Sequence, residues 1–266
     1  MKICINGQIF DLGKARIDPR DRGLTLGDGL YETISIKRGN PRRLEMHLSR
    51  LRDGAAVLNI LLLNSDTQIE DMIMSTLKEN NVIEGVVRLT LTRGPGERGL
   101  MPPAIITPTL MISAIASSPS TGAVNVILSK KTRRNEHSPL SAIKSTNTLD
   151  NFIARAEAQA SGANDALLLN TANHLAEGTT ANVFLLVDGG LITPPISDGA
   201  LPGIMRGEVI RLARAEERTV NTNTLMRASE IFMTSALGLR PVASVDGQLV
   251  GDGKAGLITQ MLAARL

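Results

Sequence analysis

The sequence predicts an α+β protein of two domains, and three observations carry that expectation. Strand-like stretches come in runs with the helices set aside, not in a βαβ alternation. The stretch Ser117-Ser118-Pro119-Ser120-Thr121-Gly122 has linker composition near the middle of the chain. A length of 266 residues, 42% hydrophobic and 21% charged, is enough to bury two ordinary cores. The expected division is a first domain over 1–116, a linker over 117–123 and a second domain over 124–266.

The elements follow in order. Lys2 to Phe10 alternates around Asn6-Gly7, a hairpin signal. Leu30 to Lys37 reads as a strand closed by the turn Arg38-Gly39-Asn40-Pro41. Leu44, Leu48, Leu51, Ala55 and Leu58 recur at helical spacing, and a second helix is expected around Ile69 to Leu77. Val86 to Thr92 and Thr109 to Ala116 are aliphatic runs flanking the Gly/Pro-rich loop Gly94 to Pro103. Beyond the linker, strands are expected at Val124–Leu128, Ala166–Leu169, Val183–Val187, Leu191–Thr193 and Ile231–Thr234, with a hairpin from Val242 to Val250 around Asp246-Gly247. Helices are expected at Leu149–Ala160, Ile204–Glu217 and Ala255–Arg265.

Composition excludes several classes of function. The net charge is only +3, and with no Trp, four Phe and one Tyr the chain lacks the stacking platforms of a single-strand binder, so no nucleic-acid partner is expected. No apolar run reaches membrane-spanning length, and the N-terminus lacks the basic and apolar regions of a signal peptide. The single cysteine, Cys4, lies in an alternating run and reads as a small buried hydrophobe; a reducing, cytoplasmic setting is expected. No metal-ligand cluster is expected.

Three segments read together as one site. Lys144, in Ala142-Ile143-Lys144-Ser145-Thr146-Asn147, offers an amine at the edge of an apolar stretch, where partial desolvation favours a nucleophile or base. Glu177-Gly178-Thr179-Thr180-Ala181-Asn182 places a carboxylate in a small-residue turn leading into a strand. Thr179 and Thr180 either form that turn or line a ligand. Leu201-Pro202-Gly203-Ile204-Met205-Arg206 is a Pro-Gly turn opening a helix, which aims backbone N–H groups at an anion. An amine for a Schiff base, an acid for a ring nitrogen and a nest for a phosphate are what pyridoxal phosphate requires.

Further residues join or leave this set depending on the fold. Arg50 lies at the boundary of its helix's apolar face, either as a solvated rim residue or as a bidentate phosphate ligand. Ser235 and Ala236 either end a strand plainly or offer a hydroxyl and N–H groups to the same anion. Tyr31 and Thr33 share one face at the start of a strand. Arg93 and Arg98 flank a glycine-rich basic loop that lacks the P-loop lysine pattern. It is read as a carboxylate-binding lid, the alternative being a loop without function.

On these segments the chain resembles the class IV, fold-type IV pyridoxal-phosphate enzymes, which include branched-chain aminotransferases, D-amino-acid aminotransferases and 4-amino-4-deoxychorismate lyases. The likeness runs from Ile5-Asn6-Gly7 to Arg240-Pro241-Val242. It implies a D-amino-acid aminotransferase-like fold of two α+β domains with the cofactor in the cleft between them, and a homodimer whose partner helps line the site. It also implies roles: Lys144 carries the cofactor and moves protons, and Glu177 pairs with the pyridine nitrogen. Arg50 and the backbone of Ile204 and Met205 hold the phosphate, and Leu201 packs on one ring face. Gly29-Leu30-Tyr31-Glu32-Thr33, the 93–99 loop, and Ser235-Ala236-Leu237 followed by Arg240-Pro241-Val242 look most like the lyases. The resemblance therefore implies a folate-pathway lyase making p-aminobenzoate and pyruvate, with Thr33 near the leaving group and Tyr31, Arg93 and Arg98 at the substrate. Tyr31 also suits the D-amino-acid enzymes. The alternative is an aminotransferase acting on D-amino or branched-chain amino acids with 2-oxoglutarate.

Overall fold

The computed structural model describes residues 1–118 and 122–266, so the expected linker falls in part on residues 119–121, outside the described residues. The chain divides into two units, each with its own core. One comprises Met1–Ser118 with Ile143–Asn147; the other comprises the described residues up to Ala142 together with Thr148–Leu266.

The first unit is an antiparallel sheet backed by helices. Its strands are β1 (Lys2–Ile5), β2 (Gln8–Asp11), β3 (Gly29–Lys37), β4 (Asn40–Pro41), β5 (Gly85–Thr92) and β6 (Thr109–Ala116), in the order β2-β1-β6-β5-β3-β4. The β1–β2 turn has Asn6 at φ 47° and Gly7 at φ 84°, the left-handed pair a tight hairpin needs. Helices α1 (Arg22–Leu26), α2 (Leu44–Leu58) and α3 (Asp66–Glu79) complete the unit. Ser65 and Gln68 form a capping box at the start of α3. Leu48, Leu51 and Ala55 of α2, and Ile69, Ile73 and Leu77 of α3, meet Ile34, Ile36, Leu89 and Ile112 of the sheet in one buried core. Cys4 is buried there, which pushes its thiol pKa up.

The second unit is built on a nine-stranded mixed sheet. Its strands are β7 (Val124–Leu128), β8 (Asp165–Leu169), β9 (Leu175–Gly178), β10 (Asn182–Val187), β11 (Gly190–Thr193), β12 (Glu216–Glu217), β13 (Glu230–Ser235), β14 (Gly238–Val245) and β15 (Gln248–Leu249). The order is β12-β11-β10-β13-β14-β7-β8-β9, with β15 paired to β14; the β14–β7, β7–β8 and β11–β12 pairings are parallel. Its helices are α4 (Leu149–Ala160), α5 (Ile204–Ala213), α6 (Thr222–Met226) and α7 (Leu257–Ala263). Phe184 and Phe232 stack with centroids 5.2 Å apart beneath α5 and α7.

The helix expected over 204–217 is shorter. Arg214 adopts the left-handed conformation (φ 52°) and ends α5 at Ala213, and Glu216–Glu217 then pairs as an edge strand with β11. Helix α1 and strand β9 have no counterpart among the expected elements. Among the described residues no helix is long and apolar enough to cross a membrane.

Candidate active site

In the first unit, Lys144 sits on a segment that continues the sheet. Residues Leu30 and Ser145 form an isolated bridge, the N–H of Tyr31 donates to the carbonyl of Lys144 (2.9 Å), and the N–H of Thr146 donates to that of Gly29 (2.9 Å). Ile143 is buried in the core beside it. The lysine's position is therefore set by backbone pairing with the start of β3. Its Nζ lies 4.5 Å from the centroid of the Tyr31 ring, and the Arg88 guanidinium lies 3.8 Å from the same centroid.

Alternation along β3 sorts the neighbouring residues. Leu30, Glu32, Ile34 and Ile36 are buried, whereas Tyr31, Thr33 and Ser35 are half-buried on the other face. Thr33 stands opposite Arg88 in the β3–β5 register, so Tyr31, Thr33, Arg88 and Lys144 belong to one neighbourhood. Arg88 was not a sequence candidate, although the Val86–Thr92 alternation puts it on the polar face. Which strand that face opposes is set by long-range pairing.

The inward-facing Glu32 is the acid that α2 requires. His47 and Arg50, three residues apart and so on one helix face, both reach it. His47 Nδ1 is 2.6 Å from Oε2, and Arg50 donates from Nε (2.8 Å) and Nη2 (2.6 Å). Burial pushes the Glu32 carboxyl up, but the bonds from His47 and Arg50 outweigh it and hold the pKa below the ordinary range. This bidentate pair fixes the plane of the Arg50 guanidinium from within the unit.

Arg93 does not have the role expected of it. It is buried, donating to both oxygens of Asp28 (Nε 2.7 Å, Nη2 3.0 Å) and to the carbonyls of Leu58 (2.7 Å) and Asn59 (2.8 Å) at the end of α2. A guanidinium so occupied has no donor face to turn toward a substrate carboxylate, so Arg93 is a structural residue. Arg98 is exposed in the 94–103 loop.

In the second unit, Glu177 at the end of β9 is the centre of a compact set. Arg134 Nε lies 3.2 Å from Oε1, the N–H of Leu201 donates to Oε2 (3.0 Å), and Asn182 Nδ2 reaches Oε2 at 3.3 Å. Asn182 Nδ2 also donates to the Leu201 carbonyl (2.8 Å). These bonds bring Leu201 and the turn into α5 up against Glu177. Gly203 caps α5 in extended conformation, and a Cβ there would collide with the Asn182 amide oxygen, so the close approach requires glycine. Ile204 and Met205 are buried as the first residues of the helix.

Asn182 is also the register partner of Thr234 on β13, whose buried hydroxyl has no hydrogen-bond partner among the described residues. Ser235 and Ala236 follow at the β13–β14 turn, half-buried, with the Ser235 hydroxyl accepting from the N–H of Leu237 (3.2 Å). The two threonines after Glu177 separate. Thr180 is exposed, whereas Thr179 is buried with its hydroxyl donating to Asp165 and its carbonyl accepting from Asn151 (2.7 Å). Thr179 is thus corrected from ligand-lining residue to turn anchor. Asp165 itself is fully buried and paired with Arg155 and Arg240, each at 2.6 Å. Its only sequence signal was an acid opening an otherwise apolar strand. Among the described residues no group of three or more His, Cys, Asp or Glu is placed to hold a metal ion.

The residues fit a phosphorylated aromatic cofactor on structural grounds: an orphaned buried hydroxyl at Thr234, a glycine-cradled helix N-terminus, and an acid oriented by three donors. Comparison with known proteins agrees. The model of the class IV aminotransferase family matches residues 29–245. A Methanocaldococcus jannaschii protein provisionally described as a branched-chain-amino-acid aminotransferase is 34% identical over 98% of this chain and 94% of its own length. The D-alanine aminotransferase of Bacillus licheniformis is 30% identical over 100% and 96%. A solved structure from Legionella pneumophila, provisionally described as a 4-amino-4-deoxychorismate lyase, superposes with a TM-score of 0.88 at 30% identity, covering 95% of each chain. With a family match over most of its length, the chain belongs to the class IV aminotransferases, a family of pyridoxal 5′-phosphate-dependent enzymes.

Proposed function

We propose that this enzyme is an aminodeoxychorismate lyase, releasing p-aminobenzoate and pyruvate from 4-amino-4-deoxychorismate. The observation that carries the reading is the hydroxyl of Thr33 on the face of β3 that bears Tyr31, with Lys144 Nζ against the same ring. An amine to take a proton and a hydroxyl to assist a departing oxygen are what an elimination needs. The Legionella relative supports the same choice.

In this reading Lys144 holds the cofactor covalently and Glu177 keeps the pyridine nitrogen protonated, its own orientation set by Arg134 and Asn182. The N–H groups of Ile204 and Met205, Arg50, Ser235 and Ala236 hold the phosphate, and Leu201 packs on the ring. Thr180 borders the same turn. The bound cofactor supplies an electron sink for the pair of a breaking bond. Freed once the substrate amine takes its place on the cofactor, Lys144 would accept the proton from the substrate ring carbon as general base. The C–O bond to the enolpyruvyl group breaks as the ring becomes aromatic, and Thr33 donates to the departing oxygen. Protonation of the released enol at carbon gives pyruvate. Arg88 and Arg98 pair with the substrate carboxylates, Arg88 taking the place first given to Arg93. The reading includes a homodimer.

The test is p-aminobenzoate release from enzymatically prepared substrate with no oxo acid present. Release that disappears in Lys144→Ala supports the lyase. No release from cofactor-loaded protein overturns it in favour of the second reading, an aminotransferase. That reading is favoured by the 34% and 30% identical relatives, and D-alanine or branched-chain amino acids with 2-oxoglutarate are its substrates to try.

A further inference from the structure

The 94–103 loop, which the proposed function uses through Arg98, is held by a residue that none of the roles above includes. Arg22 is 4% exposed on α1 and binds the loop along its length. Its backbone N–H donates to the carbonyl of Gly94 (2.9 Å). Its guanidinium donates to the carbonyls of Gly99 (3.0 Å), Leu100 (2.7 Å) and Met101 (3.4 Å), while Nε is anchored on Asp28 (2.8 Å). The neighbouring Arg20 carbonyl accepts from the N–H of Gly96 (3.2 Å). Gly96 packs on the Arg22 stem so closely that a Cβ would sit 2.9 Å from Cδ.

The loop's own side chains add little to this hold: Leu100 and Met101 are 82% and 84% exposed, Arg98 is exposed, and Glu97 makes only an exposed ion pair with Arg20 at 3.9 Å. The backbone of 99–101 therefore takes its course from three carbonyls converging on one buried cation. Asp28 makes that burial tolerable by sharing its carboxylate between Arg22 and Arg93. Burial raises its pKa, but the two arginines more than reverse this.

We propose that Arg22 is a positioning residue for substrate recognition, setting the course of the 94–103 loop so that Arg98 is presented in one fixed direction. The inference rests on the proposed role of Arg98, and its experiment separates the two. Arg22→Lys keeps a cation for Asp28 but cannot span three carbonyls. Gly96→Val wedges the guanidinium away from the loop side and leaves the Asp28 pair in place. Tryptic cleavage after Arg98 reads the loop without any activity assay, and it should become about tenfold faster in both variants because proteolysis follows local opening. Steady-state kinetics should show KM rising about tenfold with kcat within about threefold, as expected when one charge-assisted contact is misdirected. Unchanged cleavage in both variants overturns the inference. Faster cleavage with unchanged KM, while Arg98→Ala raises KM, also overturns it. Faster cleavage with KM unmoved in Arg98→Ala refutes the role of Arg98 and leaves the hold of Arg22 on the loop standing.

Discussion

Replacing Gly203 by Ala isolates a steric requirement in the turn that opens α5. Gly203 has φ −70° and ψ 137°, which Ala adopts without strain, so the backbone adds no cost. A Cβ there collides with the Asn182 amide oxygen, and Asn182 is held in place by the Leu201 carbonyl (2.8 Å) and Glu177 (3.3 Å). Overpacking a closed site costs about 1–3 kcal/mol. Displacing Asn182 from a buried carboxylate and a carbonyl costs about 1–2 kcal/mol more. The expected loss is about 2–5 kcal/mol in all. At about 2–4 °C per kcal/mol, the melting temperature falls by roughly 4–20 °C. Because the turn opens α5, the Kd for pyridoxal phosphate, measured by titration of cofactor-free protein, should rise about tenfold or more. The double variant Asn182→Ala/Gly203→Ala lacks the colliding oxygen, so it should be no less stable than Asn182→Ala alone. A Gly203→Ala protein that melts with the parent refutes the steric reasoning, as does a double variant that still shows the full extra loss.

Three other outcomes are expected. Lys144→Ala, loaded with cofactor and dialysed, should lose the near-visible absorbance of a covalently held ring while melting within a few degrees of the parent, since its recorded side-chain contact is a cation–π approach to Tyr31 worth about 0.5–1 kcal/mol; a retained band refutes its role. The Glu32 carboxyl has its pKa lowered by His47 and Arg50, so its stabilisation is present above the unfolded carboxylate pKa and is lost as pH falls through the lower folded value. Urea denaturation of Glu32→Gln from about pH 7 to pH 3 should therefore show a shallower acid decline than the parent, and parallel curves would refute the pairing. Arg93→Met should cost about 3 kcal/mol, by uncapping two carbonyls and removing one of the cations of Asp28. Because four of the five Arg93 N–H donors are already used within the protein, KM in that variant should stay within about twofold when assayed well below its melting point; a tenfold rise would restore it as a substrate ligand.

The legible parts of the fold are those with a local period. The alternation of β3, β5 and β6 and the helical spacing of α2 and α3 could be read from residues two to four positions apart. Helix α1 is five residues long and carries no such period, and its buried Arg22 reads as a surface residue. The end of α5 depends on a left-handed Arg214, a conformation not suggested by residue type. Of the candidate site, Lys144, Glu177 and the Pro-Gly turn could be proposed from sequence because each lies in a short motif. The residues that orient them were not. Asn182, Arg134 and Arg88 act across strand pairings and turns that only the folded chain brings together.

The assignment of arginines failed for one physical reason. A sequence reading meets Arg93 in a glycine-rich loop and looks for an external anion. Yet the folded chain sets four buried or half-buried acids beside guanidinium groups of its own: Asp28 with Arg22 and Arg93, Glu32 with Arg50, Asp165 with Arg155 and Arg240, and Glu177 with Arg134. A carboxylate withdrawn from water needs donors at hydrogen-bond distance, which hydroxyls and backbone N–H groups supply to Asp21 and Glu230 and arginines supply to these four, so these four acids claim their arginines before any substrate does. The pairs also carry information that apolar packing cannot, because a fork of N–H donors on two oxygens fixes a plane as well as a distance. Three of these acids adjoin residues given roles in the proposed function: Glu32 orients Arg50, Asp165 anchors the turn after Glu177, and Asp28 backs the arginine that holds the Arg98 loop. An arginine in this chain is therefore a candidate substrate ligand only where its donors are not already taken up by buried carboxylates and carbonyls. By that criterion Arg88 and Arg98 remain and Arg93 does not.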